Sequence, residues 1–186
     1  MRAAVLHQPA PIEQNPMRLE DLPMPLPDRR EVLLRVEACG VCRTDLHITN
    51  GELPPLRPTV IPGHQIVGHV EKCGEDVHDV SVGERVGVSW LGGTDGTCPL
   101  CHKGMENLCD QPTFTGYTVN GGYAEYTVAA RIFVFPYRNI RKQKIWPRYS
   151  VPGLSVSAAY GLQKSSPESA SDCSDLALRR IWQLMC

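Results

Sequence analysis

The stretch Gly40-Val41-Cys42-Arg43-Thr44-Asp45-Leu46-His47 decides the class of this sequence, together with the tripeptide Pro62-Gly63-His64 that follows it. Cysteine thiolate and histidine imidazole are ligands that suit zinc, and a catalytic zinc takes three protein ligands and keeps one position open. Cys42 and His64 are therefore candidates for two of the three ligands of a catalytic zinc. Because the two residues are distant in the chain, the fold must bring them together.

A second cluster of metal-ligand residues follows in Asp95-Gly96-Thr97-Cys98-Pro99-Leu100-Cys101 with Cys109. The close cysteine spacing is typical of a structural zinc loop, in which tight turns bring several sulfurs onto one ion. Asp95 stands three residues before Cys98, where a fourth ligand is expected. Turn chemistry alone also explains an Asp-Gly pair, so Asp95 is either a zinc ligand or a turn residue.

Composition places the chain among intracellular globular proteins. The 186 residues are 42% hydrophobic and carry a formal net charge of -1, which favours one ordinary domain and gives no electrostatic bias toward nucleic acid. No apolar run is long enough to span a bilayer, and the stretch Met1–His7 is too short for a signal peptide. We expect a cytoplasmic location, where cysteines serve as metal ligands or buried thiols rather than in disulfides.

Hydrophobic periodicity predicts a mainly β fold. From Glu31 to Ala38, Val32, Leu34, Val36 and Ala38 alternate with residues that face the other way, as in a strand with one buried face. Loops are expected at turn residues, including Leu22–Pro27, and one helical turn over Cys42–Thr49. Together these predict a partly open, mainly antiparallel barrel with a few short helices and catalytic residues on loops at one end. The other predicted strands are Ile66–Val70, Arg85–Trp90, Tyr123–Val128 and Ile132–Phe135.

From Met1 to about Pro136 the sequence resembles the N-terminal, GroES-like catalytic domain of the zinc-dependent alcohol dehydrogenases, in the medium-chain dehydrogenase/reductase superfamily. The order and separation of several motifs carry this resemblance. They are Ala38–His47, Pro62-Gly63-His64 with Gly68, Val82–Val86, the cysteine loop through Gly104 and Glu106-Asn107-Leu108-Cys109, and Gly121–Tyr126.

The resemblance implies oxidation of an alcohol to an aldehyde or ketone, with hydride passing to NAD(P). Cys42 and His64 would hold the catalytic zinc, which lowers the pKa of a bound alcohol and makes an alkoxide accessible at neutral pH. Thr44 would accept the alcohol proton through its hydroxyl and pass it toward His47, which exchanges with solvent. Thr44 and His47 would thus form the proton relay of the family.

Three neighbouring residues have further implied roles or depart from the family. Asp45 is expected to hydrogen-bond the far nitrogen of His64 and fix its tautomer. Arg43 resembles the family residue that meets the cofactor pyrophosphate, a role suited to a forked cation. Gln65 departs from the glutamate that most often follows the ligand histidine, which is expected to alter zinc affinity or exchange.

The sequence departs from the family after Phe135-Pro136. The family continues with an acidic segment, a cysteine that is the third catalytic zinc ligand, and a Rossmann domain, whereas this chain has a basic stretch and then a Ser-rich one. We expect a domain over 1–136 and a poorly ordered, non-family tail over 137–186. Our hypothesis is a frameshift near Pro136, since a shifted frame permits Ala-Pro-Leu-Leu-Cys-Ala-Gly up to Gly153. The amphipathic pattern over Asp175–Met185 would then be accidental.

Two classes of function follow from the sequence. The first is the catalytic domain of an alcohol dehydrogenase, inactive as this truncated chain because the nicotinamide site is missing. The second is a non-enzymatic zinc-binding fragment with one structural loop and an incomplete catalytic site. The expected partner of the complete enzyme is a small alcohol or aldehyde. No nucleic acid and no membrane are expected as partners, and the family is compatible with an oligomer.

Overall fold

A computed structural model describes residues 1–137, and strands dominate this part of the chain. Its α-helix is α1 (Arg43–Asn50), and short 3-10 turns occur at Ile12–Gln14, Cys101–Lys103, Glu106–Leu108 and Arg131–Phe133. The prediction of a mainly β fold is therefore confirmed. The strands are β1 (Arg2–Leu6), β2 (Met17–Asp21), β3 (Glu31–Gly40), β4 (Gln65–Cys73), β5 (Arg85–Val88), β6 (Leu91–Gly93), β7 (Thr113–Phe114), β8 (Tyr126–Ala130) and β9 (Val134–Pro136).

The strands form one five-stranded sheet, in the order β8-β3-β4-β5-β9, and two small sheets, β1-β2 and β6-β7. All pairings between these strands are antiparallel. Register shifts between Leu33 and Leu34 and between Val36 and Ala38 bend the long β3, because an extra residue on one strand increases its local twist. The sheet curls into a half-barrel, which confirms the predicted partly open barrel.

The core lies inside the curled sheet and joins β1, β3, β4, β5 and α1. Val32, Leu34, Val70 and Val86 are almost completely buried there. The prediction of a single buried face for β3 was too simple, because Leu33 is also buried, at 3% exposure. The outer face of β3 is therefore covered at this end as well.

Several predicted strand ends were wrong. Ile132 and Phe133 lie in a 3-10 turn before β9, and Trp90 lies beyond the end of β5. The β1–β2 hairpin was not predicted from the sequence. The burial pattern of β2 explains this, because one residue in β2, Met17, is fully buried and the strand gives no apolar alternation.

The helix α1 begins directly after Cys42, which has the extended backbone of an N-cap residue. The Asp45 carboxylate accepts the Cys42 backbone N–H at 2.9 Å, which satisfies one of the free donors at the helix start. Gly51 ends the helix in a left-handed conformation, with φ 79°. The predicted helical turn is confirmed, and its start places Cys42, Thr44 and Asp45 on neighbouring positions.

The expectations for the tail lie outside the described residues. They concern the poorly ordered tail after residue 137, the shifted frame near Gly153 and the amphipathic pattern over Asp175–Met185. Within residues 1–137, no helix has the length and apolar character needed to cross a bilayer.

Candidate metal centres

The first candidate centre joins Cys42, at the start of α1, to His64, just before β4. The Cys42 Sγ lies 3.1 Å from the His64 Nε2, so the fold brings these two predicted ligands together. His64 is buried, at 5% exposure. Gly63 precedes it with φ 95°, a left-handed conformation that favours glycine and turns the chain so that His64 enters the site.

Asp45 contacts both of these residues through its two carboxylate oxygens. Oδ2 accepts the Cys42 backbone N–H at 2.9 Å, and Oδ1 lies 3.2 Å from the His64 Nδ1. Asp45 is completely buried. A carboxylate at Nδ1 leaves Nε2 as the nitrogen that can bind a metal, which is the usual arrangement for a ligand histidine.

The charges of this centre are tightly coupled. Burial opposes the imidazolium, but hydrogen bonding to Asp45 and Cys42 outweighs burial and raises the pKa of His64 to about 9. Burial also opposes the thiolate, yet the contact with His64 outweighs it and lowers the pKa of Cys42. A cysteine and a histidine that share a proton form a donor set in which a divalent cation can replace that proton. The residues present therefore fit zinc.

The predicted proton-transfer residues lie on α1. The Thr44 side chain lies beside the Cys42 thiol and helps to lower its pKa. His47 lies one turn further along the helix, and residues three apart share one helix face. The His47 Nδ1 lies 2.5 Å from a Glu52 carboxylate oxygen. Arg43 is exposed at the start of the helix.

Sequence reasoning missed Glu52 as a partner of His47. Gly51 reverses the chain after α1, so that the Glu52 backbone N–H donates to the His47 carbonyl at 2.9 Å. The Glu52 carboxylate then contacts the His47 imidazole at Nδ1. Gly51 after the helix indicates a turn in the sequence, but it does not indicate that the turn brings Glu52 to His47.

An aromatic wall beside the first centre was also missed. The Trp90 ring meets the His64 ring edge-on with centroids 5.0 Å apart, and it stacks on Phe114 at 4.8 Å and on Tyr117 at 6.1 Å. The stacked rings therefore present apolar surface to one side of the imidazole.

The second candidate centre lies in the loop between β6 and β7. One ligand atom from each of Asp95, Cys98, Cys101 and Cys109 lies within 4.8 Å of the others. Backbone N–H groups point at two of the sulfurs, as the Cys101 N–H donates to Cys98 Sγ at 3.4 Å and the Asp95 N–H donates to Cys109 Sγ at 3.4 Å. The structure thus brings all four predicted residues together.

Asp95 has features of both a turn residue and a ligand. Its Oδ1 accepts the N–H groups of Thr97 at 2.9 Å and Cys98 at 3.0 Å, which is an Asx turn. These backbone donors, the one from Cys98 first, lower the pKa of Asp95 to about 2. The carboxylate also interacts with the Cys101 and Cys109 thiols. The turn therefore aims an ionised carboxylate at the cysteine cluster.

This fold agrees with the comparison to known families. Residues 28–139 match the alcohol dehydrogenase GroES-like domain. The chain belongs to this family.

The relatives that the chain matches are longer proteins. It is 43% identical over 136 residues to an alcohol dehydrogenase of Geobacillus stearothermophilus, covering 72% of this chain and 39% of that protein. A Moraxella alcohol dehydrogenase is 42% identical over 135 residues, with coverages of 72% and 39%. The cobalt- and zinc-bound alcohol dehydrogenase of Pyrobaculum aerophilum has a TM-score of 0.69 at 32% identity, covering 75% of this chain and 42% of that one. The chain thus spans about two fifths of these relatives.

Proposed function

We propose that this domain is the zinc-dependent catalytic domain of an alcohol dehydrogenase, which converts alcohols to aldehydes or ketones and passes hydride to NAD(P). The observation that carries the proposal is the 3.1 Å approach of Cys42 Sγ to His64 Nε2, with Asp45 on the other nitrogen. The relatives named alcohol dehydrogenase support the reaction class.

Cys42 and His64 would hold the catalytic zinc, which supplies an electrophile that lowers the pKa of a bound oxygen. Asp45, at the His64 Nδ1, would keep Nε2 free to bind the ion, and the Trp90 ring would cover one side of the imidazole. A catalytic zinc takes three protein ligands. Within residues 1–137, two protein ligands, Cys42 and His64, meet at this site. The Asp45 carboxylate lies on the far side of the His64 ring.

Proton movement would follow the face of α1. The Thr44 hydroxyl, next to the Cys42 thiol, accepts the alcohol proton and releases its own toward His47. The His47 side chain is 39% exposed and can exchange that proton with solvent. The Glu52 carboxylate holds the imidazole at Nδ1, which leaves Nε2 to exchange protons.

The remaining predicted residues would bind the cofactor and the structural metal. Arg43 is exposed at the start of α1, where a forked cation suits a dinucleotide phosphate. The cysteine cluster with Asp95 would hold a structural zinc that orders the loop. No Gly-x-Gly-x-x-Gly motif occurs in residues 1–137, so we propose that the nicotinamide is held by a second domain.

The second candidate function is zinc binding without catalysis. The observation that favours it is the different number of metal-binding side chains at the two centres. The loop offers four such residues, whereas the first centre offers Cys42, His64 and Asp45. A chain with the loop metal alone would be a zinc-binding module. We also expect no NAD(P)-dependent alcohol oxidation by residues 1–186 alone, because hydride transfer needs a nicotinamide held beside the zinc-bound carbon.

The decisive experiment measures the metal at each centre separately. The 186-residue chain is loaded with cobalt, and its visible spectrum and metal content are compared with those of Cys42→Ser and His64→Ala. With only two protein ligands, this centre should hold cobalt weakly, and we expect both variants to lose that cobalt and its thiolate charge-transfer band. Cys73→Ser is the matched control, since Cys73 belongs to neither cluster and should keep the full signal. Equal cobalt in all four chains would refute the catalytic centre, and alcohol oxidation assays with NAD and NADP accompany the measurement.

A further inference from the structure

Glu52 meets His47 from the turn that ends α1. Its Oε2 lies 2.5 Å from the His47 Nδ1, and its backbone N–H donates to the His47 carbonyl at 2.9 Å. Hydrogen bonds from His47 first and from Asn50 second lower the pKa of Glu52, so this side chain is an ionised carboxylate, which can only accept. The hydrogen between the two side chains therefore belongs to the His47 Nδ1.

Asn50, the last residue of α1, holds the other oxygen of this carboxylate. Its Nδ2 donates to the Glu52 Oε1 at 3.3 Å. Its Oδ1 accepts the backbone N–H of Ile12 at 3.1 Å. A backbone N–H can only donate, so the amide oxygen must face Ile12 and the amide nitrogen must face Glu52. The orientation of the Asn50 amide is thus fixed by its two neighbours.

This chain of hydrogen bonds is anchored in a buried turn. Ile12 is 4% exposed and begins the 3-10 turn Ile12–Gln14, which packs against α1. An exposed ion pair alone restrains its side chains weakly. Here the contact with His47 is restrained from the N-terminal segment through Asn50 and Glu52.

We propose that Asn50 is a positioning residue, which directs the Glu52 carboxylate to the His47 Nδ1 and so keeps the proton of neutral His47 on that nitrogen. The Nε2 of the imidazole is then left to accept a proton, because the hydrogen bond of one ring nitrogen decides which nitrogen is protonated. A proton released by Thr44 needs such an acceptor. This inference rests on the proposed proton transfer from Thr44 to His47.

His7 provides a matched control in the same chain. Its Nε2, rather than its Nδ1, lies 2.6 Å from a carboxylate oxygen of Glu20. Both imidazoles are partly exposed, with 46% of the His7 side chain and 39% of the His47 side chain accessible. The neutral form of His7 should therefore carry its proton on Nε2, opposite to His47. Glu20→Gln should weaken this preference and leave His47 unchanged.

The test is the position of the proton on each ring, measured by long-range proton–nitrogen NMR. The metal-free, 186-residue chain is studied at about pH 9, well above the ordinary pKa of histidine. The ring nitrogen without a proton resonates far downfield of the one that carries it. We expect the proton on Nδ1 in His47 and on Nε2 in His7. A His47 proton on Nε2 would overturn the proposal, whether or not any variant folds.

Asn50→Asp separates this role from a purely structural one. The new side chain keeps an oxygen for the Ile12 N–H, but it places a second oxygen against the Glu52 carboxylate instead of a donor. We expect the preference of His47 for the Nδ1 proton to fall about fivefold or more, while the amide exchange of Ile12 and the His7 tautomer stay unchanged. An unchanged His47 proton position in Asn50→Asp would overturn the proposal.

Failure of this proposal is distinguishable from failure of the proposed function, because the tautomer is measured without metal or cofactor. If the chain binds no cobalt at Cys42 and His64, the proposed catalytic centre fails, while the tautomer of His47 still decides the role of Asn50. If cobalt binds as expected and His47 carries its proton on Nε2, the catalytic centre stands and the role of Asn50 fails.

Discussion

The two candidate metal centres differ in how the chain builds them. The loop centre draws Asp95, Cys98, Cys101 and Cys109 from one short segment, held by 3-10 turns and backbone N–H groups. The first centre joins Cys42 to His64 across separate elements and places Asp45 at 0% exposure behind them. A local centre needs its metal for order, whereas a centre built from distant elements has its geometry fixed by the surrounding fold.

The largest effect is expected from the loss of a loop cysteine. Cys101→Ser should remove about one tightly bound zinc per chain, because structural zinc is worth ~10 kcal/mol or more and orders its loop. Metal content by elemental analysis and amide hydrogen exchange over the loop measure the change. Cys73→Ser, outside both clusters, should keep the zinc. Unchanged zinc in Cys101→Ser would show that the loop is ordered without this ligand.

A glycine substitution tests whether the fold fixes the first centre. Gly63→Ala places a Cβ 2.6 Å from the Tyr123 ring and 2.8 Å from the Cys39 Sγ, at φ 95°. We expect a loss of about 3 kcal/mol in the free energy of unfolding, measured with urea.

Gly96 provides the matched control in the loop. It also has a left-handed backbone, at φ 67°, but a Cβ there meets nothing within 4 Å. Gly96→Ala should therefore cost only ~1 kcal/mol. Similar costs for the two variants would mean that packing around His64 is looser than the contacts indicate.

The same contrast between a local centre and a centre built from distant elements explains which features could be predicted from the sequence. Spacing predicted the loop residues Asp95 to Cys109, because a local centre leaves a local pattern. Alternation predicted β3 and β4, which lie in the middle of the sheet. Cys42 and His64 were assigned through motif and resemblance, since no local rule shows that distant residues meet.

The missed features depend on geometry that the sequence does not display. Trp90 faces His64 because the chain leaves β5 just before it, and Glu52 reaches His47 because Gly51 reverses the chain. Tyr123 was noted only within the Gly121–Tyr126 motif and as the first residue of a predicted strand. Its place beside the turn that carries His64 follows from the contact of the ring with Gly63.

Asp95 allows a smaller test of the loop centre. Asp95→Ala removes both the turn and the charge, and we expect zinc affinity to fall at least tenfold. Asp95→Asn keeps an oxygen that can accept the Thr97 and Cys98 N–H groups, so it separates the turn from the ligand. An intermediate affinity in Asp95→Asn would assign both roles. Equal zinc affinity in Asp95→Ala and the parent would leave Asp95 a turn residue.

The smallest effect concerns pH and the metal-free first centre. The pKa of His64 is about 9 in the folded chain, above the ordinary value of 6.5, so the folded state binds this proton more tightly. Its contribution to stability is fully present below about pH 6.5 and is lost as the pH rises through about 9. Urea midpoints of the chelator-treated chain should therefore fall over this range.

His64→Gln isolates this contribution, because all other titrating groups are shared with the parent chain. We expect the difference between parent and variant to be largest below about pH 6.5, to shrink as the pH rises, and to be almost gone above about pH 9. With zinc bound, the same difference should not follow this curve, since the metal takes the place of the proton on the imidazole. A difference that is independent of pH in the metal-free chain would mean that Asp45 and Cys42 do not hold a proton on His64, and that the fold alone does not preassemble the centre.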